Sequence, residues 1–337
     1  HSKALHNRKT LEICLPPLSP RESGKFIKDR SSLEKAMLYM CLGGIPKYLE
    51  QINPSLSVEK NLNQLCFTPN GFFVEEYETI FKEQFRATKI YQNIIELLTY
   101  NSLGMSDIAK KIDVPKGGGL NSYLQNLVRA QFIREYRPTS FDTRQTNQGN
   151  KLQRRPRTRT QRFKLTDYFL IFYFRYIHQH KDLIYHNSQK ANLFRSITAS
   201  TFSNYLGFAF ERLCEDAIMS ILRVIDLELT DIESMGPYFQ RRTGDLDVSS
   251  NPQNNTEGVQ IDYMIWRRDK VCTIMEFKYH NKLMGMDVVH SMEQKIKKLN
   301  LPTNISIEKV LVSANGVSAS VKNSKYFNHV LTIDDLV

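Results

Sequence analysis

The sequence predicts an α+β protein of several domains, helical toward its N-terminus and organised around an α/β sheet toward its C-terminus. Three observations carry this. Apolar residues recur at helical spacing from Leu33 to Phe85 and again from Thr88 to Val128. Two apolar-rich segments flank a charged tetrad between Gln260 and Tyr279, which reads as a β-hairpin. Between the two regimes, Arg137 to Lys164 is rich in Thr, Gln, Asn and Pro, the composition of a solvated loop. A chain of 337 residues is long enough for two or three domains with substantial cores.

Taken in order, Leu33 to Phe85 reads as a small helical unit whose GGIP turn, from Gly43, serves close packing. Thr88 to Thr99 is a first helix of the next unit, carrying Ile90, Ile94, Ile95, Leu97 and Leu98. Ser106 is placed as the N-cap of a second helix carrying Ile108, Ala109 and Ile112. Pro115 and the glycines 117–119 turn the chain into a third, whose Leu120, Leu124, Leu127 and Val128 face the core. Asn121 and Gln125, one turn apart, are left exposed beside Ser122 and Arg129. Phe132 to Tyr136 and Arg162 to Leu165 supply two strands. This is the pattern of a winged helix-turn-helix, in which the third helix enters the major groove and Asn or Gln pairs with an adenine edge. A protein–protein adaptor has the same pattern.

The basic run would be the wing tip. It holds nine basic residues and one acid, a net +8 of the chain's +11, and Arg154, Arg155, Arg157 and Arg159 are its densest part. Such a patch is the electrostatic footprint of nucleic-acid binding, although a run of like charge also occurs as a plain solvated insertion.

Tyr168 to Tyr176 is aromatic at helical spacing, which reads as packing between domains. This longest apolar run is too short to span a membrane. Phe202 to Val224 is expected as one amphipathic helix with Leu206, Phe210, Leu213, Ala217 and Ile221 along its buried stripe and Glu211 off it. In the hairpin, Asp262 lies on the first strand and Glu276 and Lys278, two apart, share a face of the second. An even-length loop centred on Arg268 and Asp269 would set Asp262 opposite Met275. An odd-length loop or a bulge is therefore required to bring it to Glu276, and one is predicted. Asp287 to Lys298 is a helix carrying Gln294 and Lys295, and Val310 to Ser320 is a buried strand followed by a polar loop.

Two carboxylates and an ammonium at one spot are the minimum equipment for metal-assisted phosphodiester cleavage. Mg²⁺ takes one or two protein carboxylates and keeps several waters, so Asp262 and Glu276 are the expected metal ligands. Lys278 would position the water or stabilise developing negative charge. Alternating charge on the wet face of a strand produces the same pattern with no catalytic purpose.

The order helix with Glu, strand with Asp, strand with Glu-x-Lys, then helix resembles the PD-(D/E)xK nuclease superfamily, over roughly the last 140 residues. The resemblance implies Glu211, Asp262, Glu276, Lys278 and Gln294 as site residues and a restriction-endonuclease-like α/β domain. Gln260 and Ile261 stand where the family's proline would be. GGIPKYLE from Gly43, GFAFERLCEDAI from Gly207 and YFNHVLTIDDL from Tyr326 resemble an archaeal-type AAA ATPase family, and Leu11 to Ser23 is similar to the end of its ATPase core and its first lid helix. That likeness implies residues 1–84 as the end of an AAA core and a helical lid, 85–180 as a winged helix with a basic insertion at 137–164, and 181–337 as the nuclease-like domain. No G-x-x-x-x-G-K-[ST] occurs, and the chain begins with His. It is therefore expected to be the C-terminal portion of such a protein, ATP belonging to a P-loop domain absent from this chain and acting in cis or in trans. Residues near Leu11 to Phe26 would then expose apolar surface.

The five cysteines show no paired spacing, which argues for buried apolar thiols rather than disulfides or zinc. Without a signal stretch, a cytoplasmic location and no membrane partner are expected. H-E-x-x-H, G-x-S-x-G and dinucleotide-binding glycine patterns are all missing. Three readings stand: a DNA-binding, Mg²⁺-dependent nuclease module; a catalytically silent nuclease-like appendage of an ATPase; and a protein-interaction scaffold.

Overall fold

A computed structural model describes residues 15–84, 88–136, 161–187, 192–240, 258–299, 301 and 304–337. The basic residues Arg154, Arg155, Arg157 and Arg159 lie outside them, as do residues 1–14.

Helices α1 (Pro20–Phe26) and α2 (Ser32–Leu42) each begin on a capping box. Ser19 and Ser31 accept the N–H of Glu22 and Glu34, and each glutamate accepts from the serine in return. Gly43 ends α2 at φ +76°, a conformation that favours glycine. At Gly44 the reason is space. Leu18 N–H donates to its carbonyl at 2.8 Å, and a Cβ there would collide with the Leu18 backbone. Close packing at the GGIP turn is thus realised against the segment before α1. Gly44→Ala is expected to cost about 1–3 kcal/mol, from forced backbone displacement, in a denaturant midpoint measurement. Helices α3 (Pro46–Leu49), α4 (Val58–Cys66) and α5 (Glu76–Gln84) complete this unit.

Next come α6 (Thr88–Leu98), β1 (Leu103–Gly104), α7 (Met105–Lys111), α8 (Gly118–Arg129), β2 (Ile133–Tyr136) and β3 (Arg162–Leu165). The three strands form an antiparallel sheet in the order β1-β3-β2. Ser106 does not cap α7. Leu103 and Gly104 pair with Phe163 and Arg162, so the helix starts straight from the strand with Gly104 at the cap position and Ser106 already inside.

The aromatic segment folds as α9 (Tyr168–Phe172), a π turn (Tyr173–Ile177) and a short 3₁₀ turn, followed by α10 (Lys181–Tyr185). Phe169, Phe172, Tyr173 and Tyr176 are all buried. They join the N-terminal helical unit to the helix that begins at Phe202, since Phe169 lies 5.1 Å from Phe73, Tyr173 stacks 5.0 Å from Tyr77, and Phe172 meets Tyr205 at 5.7 Å.

After α11 (Leu193–Thr198), the single helix expected over Phe202 to Val224 is broken. A tight turn at Ala217 separates α12 (Phe202–Asp216) from α13 (Ile218–Val224), and Leu213, Ala217 and Ile221 remain buried across it. The C-terminal sheet has five strands in sequence order, β4 (Ile232–Gln240), β5 (Val259–Arg267), β6 (Val271–Lys278), β7 (Ser306–Ser313) and β8 (His329–Thr332). The first three are antiparallel, while β6, β7 and β8 run parallel. Helices α14 (Asp287–Lys298) and α15 (Ala319–Ser324) connect the parallel strands, as such crossovers require.

Both sheet faces are covered. Tyr263, Ile265, Met275 and Phe277 join a core that continues without a break through α12, α9 and α2. Met264, Trp266, Cys272 and Ile274 pack under Val288, Val289 and Met292 of α14 and Val321 of α15. Cys41, Cys66, Cys214 and Cys272 are buried free thiols, and Cys14 is outside the described residues. Among the described residues, no helix is long and apolar enough to cross a membrane.

Candidate functional site

The β5–β6 hairpin sets the site. Its partners are Tyr263↔Met275, Met264↔Ile274, Ile265↔Thr273 and Trp266↔Cys272, a register centred on Asp269. The loop is therefore odd in length, with Lys270 at φ +65° in the left-handed position that ends such turns. Continuing this register places Asp262 level with Glu276. The pairing with β4 shifts at the same point: Gly236 faces Met264 and Tyr238 faces Ile261, so Pro237 opposes both Asp262 and Tyr263. The recorded β5–β6 pairing starts at Tyr263↔Met275, one step past Asp262. The Phe277 N–H, next in line for the ladder, donates instead to Asp262 Oδ2 at 2.8 Å.

Glu276 is fully buried. Lys295 Nζ lies 2.6 Å from both of its carboxylate oxygens, and Lys278 Nζ lies 2.6 Å from Oε1. Gln294, the residue the superfamily resemblance implies, is exposed, and its neighbour Lys295 enters the site instead. Val288, Met292 and Lys295 follow one helical stripe, and the first two are buried against the sheet. Gln294 falls off that stripe.

Glu211 approaches from α12. Burial, and then the nearby Asp262, push its carboxyl up to about 7, with Lys278 opposing. Asp262 is raised by burial and by Glu276, against the pull of Lys278, Lys295 and the Phe277 N–H. For Lys278, burial favours the neutral amine, but Glu276, Asp262 and Glu211 outweigh it and raise the pKa, so the ammonium is held charged. Three carboxylates thus share one patch with two ammoniums, leaving one negative charge in excess when all are ionised.

The raised Glu211 carboxyl, set first by burial and then by Asp262, bears on stability. A carboxyl raised in the folded state holds its proton above the unfolded pKa, so its contribution is complete below about 4.5 and is lost as pH rises through about 7. Glu211→Gln is expected to flatten this loss and to make the protein about 1–2 kcal/mol more stable than the wild type at pH 8, with no gain at pH 4, in denaturant titrations at the two pH values.

Among the described residues, no group of three or more His, Cys, Asp or Glu side chains is arranged as a metal cage. The donor set nonetheless fits Mg²⁺, which needs only one or two carboxylates, and the crowding of like charge is what a divalent cation relieves.

On α8, Asn121, Ser122 and Arg129 are exposed. The Ser122 hydroxyl donates to Gly118 O at 3.0 Å, and Gln125 is drawn aside, donating to Glu135 on β2 at 3.2 Å. Two ion pairs, Lys164–Glu215 and Arg134–Asp216, tie the small sheet to α12.

The DUF234 family, described as archaea bacterial proteins of unknown function, matches residues 173–295, a span that runs from the π turn to α14 and includes Glu211, Asp262, Glu276, Lys278 and Lys295. Protein MJECL04 of Methanocaldococcus jannaschii, described as uncharacterized, is 22% identical over 293 residues, covering 85% of this chain and 61% of its own length. The chain thus spans about three-fifths of that relative. Protein VC1899 from Vibrio cholerae, known from a crystal structure, aligns over 91% of this chain and 59% of its own at 13% identity, with a TM-score of 0.27, a likeness too slight to bear on the fold. What the comparisons establish is similarity to archaeal and bacterial proteins of unknown function.

Proposed function

We propose that this chain is a DNA-binding, Mg²⁺-dependent phosphodiesterase, in which a PD-(D/E)xK-type site follows a winged helix and a helical lid of AAA type. The convergence of Asp262, Glu276, Lys278 and Glu211, from two strands and a helix, carries the reading. Asp262 and Glu276 would hold the metal, with Glu211 as a further carboxylate. Mg²⁺, when bound, supplies a polarised phosphate and an acidified water. Lys278, held charged and a third exposed, offers its ammonium to the phosphoryl oxygens or to the attacking water. The exposed face of α8 with Asn121, Ser122 and Arg129, and the basic segment holding Arg154, Arg155, Arg157 and Arg159, would engage the duplex. ATP would be handled by a P-loop domain in cis or in trans.

A second reading, a catalytically silent DNA-binding or regulatory appendage, is favoured by one observation. Lys295 already occupies both oxygens of Glu276. The deciding experiment is cleavage of labelled single-stranded, duplex and branched DNA with Mg²⁺ or Mn²⁺, with Lys278→Ala as control. Metal-dependent cutting that disappears in the variant supports the first reading. Salt-sensitive binding without cutting supports the second.

A further inference from the structure

Arg175, on the π turn, stands within ring distance of aromatic side chains from two other segments. Its guanidinium carbon is 5.2 Å from the centroid of Tyr100, 5.8 Å from Tyr205 and 5.8 Å from Phe208. Tyr205 is buried, whereas Tyr100 and Phe208 are 50% and 63% exposed. Gln179 steadies this arrangement, donating to the Tyr100 hydroxyl at 3.1 Å and to Phe174 O at 3.3 Å. Rings hold the guanidinium in place. Among the described residues no carboxylate pairs with Arg175, and its N–H donors remain available to an oxyanion.

Gly207 adds an independent observation. It sits inside α12, where glycine costs about 1 kcal/mol relative to alanine. Packing does not explain it, since a Cβ there would meet no atom within 4 Å. A bare helix surface beside an exposed phenylalanine leaves room for a ligand to come close to the backbone. Phe208 is also one turn from Glu211, so whatever rests on it lies at the approach to the carboxylate site.

We propose that Arg175, Tyr100 and Phe208 form a subsite for one unpaired nucleotide of a nucleic-acid strand, with Arg175 on its phosphate and Phe208 or Tyr100 stacked on its base. The substrate class this adds to the nuclease reading, on which it rests, is a strand with unpaired bases near the scissile phosphate. Duplex DNA buries its bases and offers no face for stacking, while an unpaired strand offers one at every residue.

The test is binding of a short single-stranded oligonucleotide containing 2-aminopurine, without metal so that nothing is cut. Fluorescence of the base reports stacking, and a duplex of the same sequence and a free mononucleotide serve as comparisons. The full chain is expected to quench 2-aminopurine. Phe208→Ala should abolish the quenching and weaken single-strand binding by about tenfold or more, the usual effect of losing one stacking ring, while leaving duplex binding unchanged. Phe208→Trp should restore both signals. Gly207→Leu should weaken binding without lowering thermal stability, because it fills open space and improves helix propensity. Arg175→Gln should reduce the salt slope of binding by about 0.7, one phosphate contact on a single strand.

No single-strand binding, Phe208→Ala binding like the wild type, or equal loss on single strand and duplex would each overturn the subsite. A mononucleotide that quenches as strongly as the strand at equal concentration would overturn the assignment to a strand. The two proposals fail separately. Cutting that ignores Phe208→Ala sinks the subsite alone, and Phe208-dependent binding with no cutting sinks the nuclease alone.

Discussion

Replacing Lys295 with methionine is expected to destabilise the metal-free chain by about 3 kcal/mol near neutral pH, at the lower end of the cost of breaking a buried ion pair. Glu276 is fully buried and loses the partner that contacts both of its oxygens, keeping only Lys278 on Oε1. Asp262 and Glu211, already crowded, then face a carboxylate that is less well neutralised. Glu276→Gln by itself should cost less, because both ammoniums keep partial contact with water, at 34% and 25% side-chain exposure. The double variant should recover much of the loss, since no unpaired charge stays buried. Chemical denaturation of the wild type, both single variants and the double variant measures this coupling. Additive losses would mean that Lys295 contributes packing rather than charge.

The second large effect concerns rate. Under the nuclease reading, Lys278→Ala should reduce metal-dependent cleavage by about 10²–10³-fold, the usual consequence of removing one group that stabilises charge in a transition state. The fold should tolerate this change, because Lys295 continues to neutralise Glu276. Single-turnover cleavage with saturating enzyme separates this loss from weaker binding. Undiminished cutting by Lys278→Ala would place the chemistry elsewhere in the chain.

The sequence was most legible where periodicity and turn geometry act locally. The bounds of α14 and β3 coincide with those expected, and strict two-residue alternation forced the demand for an odd loop or a bulge near Asp262. The hairpin has the odd loop, and the bulge lies in the pairing of β5 with β4. Errors arose where a distant segment decides. Ser106 is a good capping residue, but β3 recruits Leu103 and Gly104 as a strand and moves the helix start to Met105. The stripe from Leu206 to Ile221 has the period of one helix. Nothing local foretells a turn at Ala217 that keeps the same residues buried. The motif points to Gln294, whereas the stripe through Val288 and Met292 points one residue further, to Lys295. Gln125 reads as exposed from the helix alone, because its partner, Glu135, lies on a strand that only the tertiary fold brings near.

The bond from Phe277 N–H to Asp262 has a spectroscopic consequence. In most of a β-sheet, an amide proton is protected by a carbonyl, a partner that pH does not alter. Here it is protected by an ionisable side chain. Its chemical shift and its exchange rate with deuterated solvent therefore report the charge on Asp262 directly. One backbone resonance, followed while pH or Mg²⁺ is varied, thus serves as a gauge of how the buried carboxylates divide their protons, without any substrate or any assumption about the reaction.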